Sequence, residues 1–400
     1  VRVCQGNVEP GFEPVAQLFE RLFRVAGRGG GSFVLRHRDR VLVDIWGGVA
    51  DPATGAGWWR DTLALSFSTT KGVAATVIHR LADRGLLGYD DPVAAFWPEF
   101  AAGGKDRITV RQLLRHQAGL DRLAPIAPDA DALLDHRAAE QRLAAQAPDH
   151  RPGSSAYHAI TFGWLCAGLA RAITGKGMAE LVRTELAEPL GVDGLHIGRP
   201  DPDSQRVAAT IGELRPMPDL LARFVALPFP ITLPHRRIAE AMLSPGVNEV
   251  FRPPCPPVLD TEMPSANGLF TAESLATLYG ALANGGAVNG RRLLTGGTVH
   301  DLARPPRSRV PDLALGFPMY WRLGYHQAFV PGVRMPTAFG HYGYAGSGAW
   351  ADPATGLSAA FVSNRVYPLS NAMGDLALVR LSRLCVRTFR ALQRPGALSA

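Results

Sequence analysis

The sequence predicts an α/β fold: an antiparallel sheet built from both chain ends and flanked by helices, with a mainly α-helical domain between them. Three observations point there. Apolar residues alternate with period two near residues 33–46 and again over 338–364. Helical spacing dominates the middle of the chain. A length of 400 residues exceeds one small core and suits two domains, or one with a large insertion. The expected division is a sheet domain from residues 1–92 and 265–400, and a helical domain from 93–264.

Taken in order, Phe12, Val15, Leu18, Phe19, Leu22 and Phe23 recur at helical spacing, so residues 11–26 read as a helix. Gly29-Gly30-Gly31 ends it; no Gly-Lys-Ser/Thr follows, so the run is a hinge into a strand, not a phosphate loop. Phe33–His37 and Val41–Trp46 alternate as two strands about a turn at Arg38-Asp39. The pentapeptide Asp-Pro-Ala-Thr-Gly occurs at 51–55 and again at 352–356. Its flanks differ, and Pro and Gly at these offsets suit hairpin turns, so turn chemistry explains the recurrence. From Lys71 to Leu86, Val73, Val77, Ile78, Leu81 and Leu86 form one helix face.

The middle is helical and punctuated by proline: Val110–His116, Asp129–Gln146, Thr161–Ile173 and Met178–Leu190. The apolar stretch 219–234, broken by prolines, suits core packing or the wall of an acyl pocket. Ala272–Ala283 is a further helix, closed by Asn284-Gly285-Gly286. Strands return at Ala338–Gly343, Gly348–Ala351 and Leu357–Asn364, and a helix from about Ala372 to Leu392 follows.

Composition narrows the function classes. Hydrophobic content of 46% with 19% charged residues describes a globular protein. The net charge of +7 comes from scattered arginines with no basic run or stripe, which points away from a nucleic-acid partner. No apolar run approaches the ~20 residues of a membrane span. The first residues, Val1 to Gln5, carry neither an initiator methionine nor the apolar core of a signal peptide, so a trimmed start and a cytoplasmic location are expected. Cys4, Cys166, Cys255 and Cys385 form no C-x-x-C pair, which argues against a zinc ribbon or thioredoxin-type site; Cys166 reads as a small core residue. No metal or cofactor motif is present: H-E-x-x-H, Gly-Lys-Ser/Thr and Gly-x-Ser-x-Gly are all missing.

The cations carry the first chemical signal. The chain has 39 arginines and only three lysines, and one lysine stands three residues after a serine: Ser68-Thr69-Thr70-Lys71. Arginine stays protonated at ordinary pH, whereas a buried lysine can lose its proton near neutrality. On a helix, positions i and i+3 share a face, so Ser68 and Lys71 would point the same way. Taken alone, Ser68 equally suits a helix N-cap. Two further segments supply partners. One is Pro152-Gly153-Ser154-Ser155-Ala156-Tyr157-His158, a turn presenting a tyrosine ahead of a helix. The other is Gly340-His341-Tyr342-Gly343-Tyr344 on a strand.

The order and spacing of these three segments resemble the serine β-lactamase and penicillin-recognising family. There Ser-x-x-Lys, Tyr-x-Asn and Lys-Thr-Gly converge on one cleft. The segments Asp44-Ile45-Trp46-Gly47-Gly48, Phe67–Gly72, Ile108–His116 and Tyr157–Trp164 are similar to its carboxylesterase branch, the family VIII esterases. The resemblance spans about residues 5 to 390. It implies a β-lactamase-like fold and an acyl-enzyme on Ser68, with Lys71 and Tyr157 acting together as base and sharing one proton. Tyr157 would act as a phenolate only with the Lys71 charge close by, and would activate the deacylating water or acceptor. The oxyanion cradle would be the backbone N–H groups of Ser68 and Tyr344, with Gly343 letting the strand come close.

Departures from the lactamase pattern bear on substrate. Lys-Thr-Gly is replaced by His341-Tyr342-Gly343, so a mostly neutral imidazole stands where a lysine would attract a carboxylate. Tyr-x-Asn is replaced by Tyr157-His158-Ala159. Both changes favour uncharged esters over β-lactams or D-Ala peptides, with His341 and Gly343 as substrate-binding residues. His341 also suits a structural strand histidine, His158 reads as structural or as a support behind the site residues, and His116 and Gln117 receive no role. The expected partner is a small-molecule ester or other acyl donor, with a homo-oligomer left open. A transacylase using an amine, alcohol or thiol acceptor is the alternative; a non-catalytic binding protein on the same fold is a third reading.

Overall fold

A computed structural model describes residues 4–24, 29–202, 204–212, 234–305, 309–366 and 376–393. Its main sheet takes strands from both chain ends. The first set is β1 (Gln5–Val8), β2 (Gly30–His37) and β3 (Arg40–Asp51); the second is β4 (His326–Gln327), β5 (Phe339–Tyr342), β6 (Gly348–Asp352) and β7 (Leu357–Ser363). The order is β1-β3-β2-β7-β6-β5-β4, with Ala56–Gly57 paired off this path to β3. Every pairing is antiparallel. The two chain ends meet where Phe33 opposes Phe361 and Leu35 opposes Ala359.

Strand alternation explains the layers. Phe33, Leu35, Trp350 and Phe361 pack on one face against helices α1 (Glu13–Phe23) and, at the other end of the chain, Ala377–Leu392. Val34, Ala349 and Ala360 belong to a second core cluster with Leu275, Leu278 and Leu282 of the helix Ala272–Ala283. The sheet is therefore covered on both faces. Each fully buried leucine or phenylalanine contributes roughly 1.5–3 kcal/mol. The repeated pentapeptide is turn chemistry in both places: the Asp51 carboxylate accepts from Ala53 N and the Asp352 carboxylate from Thr355 Oγ1.

The second core cluster continues into the helical middle through Leu113, Leu143, Trp164 and Leu169. The helix expected over 129–146 is two helices, Ala130–Leu134 and His136–Ala145. Asp135 separates them because its carboxylate accepts from Ala138 N, offering the backbone a cap in place of continued helix. The stretch Met178–Leu190 is helical throughout, but Val182–Ala187 is wound as a π-helix. Leu195–Ile197 pairs with Gly268–Phe270, which pairs with Ala64–Leu65, in a small sheet too short to show as alternation in sequence. The buried lysine Lys105 donates to the carbonyls of Ala102, Ala144 and Gln146, tying down the end of His136–Ala145.

Cys166 is a core residue, and all four cysteines are unpaired. The apolar stretch 219–234 lies outside the described residues except for Pro234, which opens the helix Pro234–Met242. The last helix begins at Ala377; residues 372–375 of the expected span lie outside the described set. Among the described residues no helix is long and apolar enough to cross a membrane.

Candidate active site

Helix α2 (Thr69–Asp83) is the structural centre of the site and is buried on nearly all sides, from Thr69 to His79 and again at Leu81. Ser68 immediately precedes it with helical backbone angles (φ −63°, ψ −8°), and its hydroxyl caps no backbone N–H. The N-cap role open to Ser68 in sequence is therefore not the one it takes. Phe67, just before it, has φ +46°, a left-handed conformation that costs on the order of 1–3 kcal/mol in a non-glycine residue. The Phe67 ring is wedged between Phe251 and Tyr344, which holds the turn.

Ser68, Lys71 and Tyr157 come together. Lys71 Nζ stands 3.0 Å from Ser68 Oγ, and the Tyr157 hydroxyl donates to the same oxygen at 2.9 Å. Lys71 is fully buried, and its Nζ also donates to the Ser265 carbonyl at 3.0 Å. That carbonyl can approach because residue 163 is glycine: a Cβ there would overlap the backbone of Pro264 and Ser265. Gly163 N in turn donates to Ser265 Oγ.

Burial pushes the Lys71 ammonium well below the ordinary lysine pKa, opposed only by the Cys166 thiol. Burial also raises the Tyr157 hydroxyl; its bond to Ser68 works the other way and the Asp312 charge adds to the rise. Both shifts favour neutral forms, an amine beside a phenol, over the ammonium–phenolate pair considered from sequence. A neutral amine has a lone pair able to accept the Oγ proton while its N–H remains on the Ser265 carbonyl.

The strand β5 brings the second half of the site. Gly343 packs against the start of α2 so closely that a Cβ would overlap the Ser66 carbonyl oxygen and crowd Thr69 Oγ1. This contact sets Tyr344 beside the Phe67–Ser68 turn, its ring 5.5 Å from that of Phe67. Ser68 N has no acceptor among the described residues and sits at the positive end of α2. His341 lies on β5 opposite Ala349, its ring 6.4 Å from that of Tyr157. Burial, with His326 and Lys71 nearby, holds its pKa well below the usual histidine value, so the imidazole is neutral. His158 is structural: its ring nitrogens engage Leu120 N and the Ala156 carbonyl.

Three residues around Tyr157 were not found from sequence. Asp312 is buried, and its Oδ1 accepts from Tyr157 N, Ala314 N and Leu315 N, while Oδ2 accepts from the indole of Trp321 at 2.8 Å. Trp321 then stacks on Tyr157. His116, given no role in sequence, meets the Tyr157 ring edge-on at 5.2 Å and Trp321 at 4.2 Å. Among the described residues no group of histidine, cysteine or carboxylate side chains could hold a metal ion.

A serine, a buried amine and a phenol meeting at one oxygen, at the start of a buried helix beside a sheet built from both chain ends, define a β-lactamase-type hydrolase site. The chain belongs to the β-lactamase family, whose model it matches over residues 15–383. It is 46% identical over 369 residues to the esterase/beta-lactamase LipL of Mycobacterium tuberculosis, covering 90% of this chain and 83% of that protein. Among solved structures it resembles a penicillin-binding protein homologue from Caulobacter crescentus, with a TM-score of 0.83, 36% identity and coverage of 96% of this chain and 99% of that one. A family VIII carboxylesterase is similar as well, with a TM-score of 0.81, 33% identity and the same coverage.

Proposed function

We propose that this protein hydrolyses uncharged carboxylic esters through an acyl-enzyme on Ser68. The observation that carries the reading is the meeting of Lys71 Nζ and Tyr157 Oη at Ser68 Oγ, with the amine fully buried. In acylation, Ser68 Oγ bonds to the ester carbonyl carbon as its proton passes to Lys71 Nζ. The negative charge then rests on the former carbonyl oxygen, facing the N–H groups of Ser68 and Tyr344. Collapse breaks the bond to the leaving alcohol, which departs with the proton held by Lys71, relayed through the Tyr157 hydroxyl. In deacylation, water adds to the acyl carbon and gives its proton to the same pair. Ser68 Oγ leaves, regains a proton, and the carboxylic acid is released.

The preference for uncharged esters rests on His341. A neutral, buried imidazole offers no cation for a substrate carboxylate. The names of the esterase/beta-lactamase LipL and of the family VIII carboxylesterase support ester substrates, and the preference for uncharged ones rests on His341 alone.

The test is turnover of p-nitrophenyl acetate and butyrate, together with labelling by a serine-directed phosphonate. Ser68→Ala should abolish turnover, and the phosphonate should modify Ser68 alone. Labelling at another residue, or an efficient rate on a cephalosporin, would overturn the reading. Product mass with added amine or alcohol separates hydrolysis from acyl transfer: predominant transfer in water would replace esterase with transacylase.

A further inference from the structure

A cavity with a volume of about 750 Å³ lies on the Trp321 side of the site. That is the size range of pockets for small organic ligands. Trp321 forms part of its wall, but Ser68, Lys71 and Tyr157 do not.

Its charges are unbalanced. Arg111 is held by Asp90 through two bonds of 2.7 and 2.9 Å. Arg115 lines the same cavity and has no ion pair among the described residues; its Nε is buried without a hydrogen bond. Burial and the neighbouring Arg111 both act against the Arg115 charge, and Asp90, already bonded to Arg111, offsets them only in part. Arg304 adds an exposed guanidinium, and Arg322 a buried one that is bonded to the carbonyls of Leu302, Ala303, Pro336 and Thr337 and to the Gln327 side chain. Asp301 is the one carboxylate on the described wall; it is exposed and acts on Arg111, not Arg115. Leaving a guanidinium half-buried without a directly paired carboxylate is costly, and an anion entering the cavity would remove that cost. The rest of the lining limits which anion fits. Gln117 and Ser155 supply polar groups, bonded to each other at 3.2 Å. Val310 (73% exposed), Leu313, Met319 and Trp321 supply apolar surface. Inorganic phosphate would satisfy the cation and leave that apolar surface wet.

We infer that this cavity is a second ligand site, which binds an amphipathic organic carboxylate with its head on Arg115 and its tail against Leu313, Met319 and Trp321. The site is separate from Ser68 and needs no chemistry there. Because Trp321 also stacks on Tyr157, occupancy has a direct contact path to the catalytic phenol.

Isothermal titration calorimetry with octanoate tests the inference on the full chain. The wild-type protein, the Ser68→Ala variant and enzyme pretreated with phosphonate should each bind one octanoate with Kd below about 1 mM. Arg115→Gln should weaken binding about tenfold while ester turnover in the absence of octanoate stays as in wild type. Arg304→Glu, on an exposed side chain that leaves the core untouched, should weaken it about threefold. Octanol and inorganic phosphate should each bind at least tenfold more weakly than octanoate. Undiminished binding in folded Arg115→Gln, octanol binding equal to octanoate, loss of binding in phosphonate-treated enzyme, or no binding at all would each overturn the assignment.

Discussion

The indole of Trp321 lies flat against the ring of Tyr157, with centroids 5.4 Å apart and planes 11° from parallel. Asp312 holds both partners, one through its indole N–H and the other through its backbone N–H. The phenol that touches Ser68 is thus fixed from behind by the Trp321–Asp312 pair.

Trp321→Ala frees the Tyr157 ring. The expected result is a loss of kcat of about 10–100-fold with KM changed much less, because the lost quantity is alignment of Oη and not substrate contact. Asp312→Asn should lower kcat similarly. It also removes a charge that raises the Tyr157 pKa, so any alkaline limb in the kcat profile moves to lower pH. An unchanged kcat in either variant would deny the stack a positioning role.

In the proposed acylation Lys71 must be neutral to accept the Ser68 proton. Its pKa is lowered by burial, so kcat/KM should hold on the alkaline side and fall as pH drops through that lowered value, well under the ordinary 10.5. Lys71→Arg should be nearly as damaging as Lys71→Ala, each losing about 10³-fold or more, since guanidinium cannot release its proton. Substantial activity in the arginine variant would remove Lys71 as the base.

Gly343→Ala puts a methyl against the Ser66 carbonyl and pushes β5 away from the start of α2. Overpacking of this kind costs about 1–3 kcal/mol. Displacing the Tyr344 N–H should cost about 10²–10³ in kcat. Thermal unfolding and kinetics measured together separate the two effects; a full kcat would place the oxyanion donor elsewhere.

Stability should fall on acidification before most carboxylates titrate. His79 and His326 are buried, and burial lowers each from 6.5 to about 4. Between those values the unfolded chain takes up protons that the folded chain refuses. Stability is therefore full above pH 6.5 and is lost as pH falls toward 4, by roughly 3 kcal/mol per histidine. Urea unfolding at pH 7, 6 and 5 checks this; a midpoint independent of pH would contradict it.

Much of this architecture is legible in the sequence, for physical reasons. Ser68 and Lys71 share a helix face at a spacing fixed by helix geometry, and the alternation around Phe33 and Phe361 marks the sheet. Tyr157 and His341 were placed by motif order, a relation that survives distance along the chain. Asp312, Trp321 and Ser265 gave no such sign. They lie in irregular segments, and their contacts close over separations of 155 residues (Tyr157 to Asp312) and 194 residues (Lys71 to Ser265). Only the folded chain determines that they are neighbours. The break at Asp135 was readable in principle, since an aspartate within a helical pattern signals a new cap.

Strand β2 finds its neighbour more than three hundred positions later, in β7. A ribosome must therefore emit the chain as far as Ser363 before the scaffold behind Ser68 can close. Products truncated ahead of β7 would carry the serine but not its setting, so turnover reports that synthesis has passed β7 and that the sheet has closed.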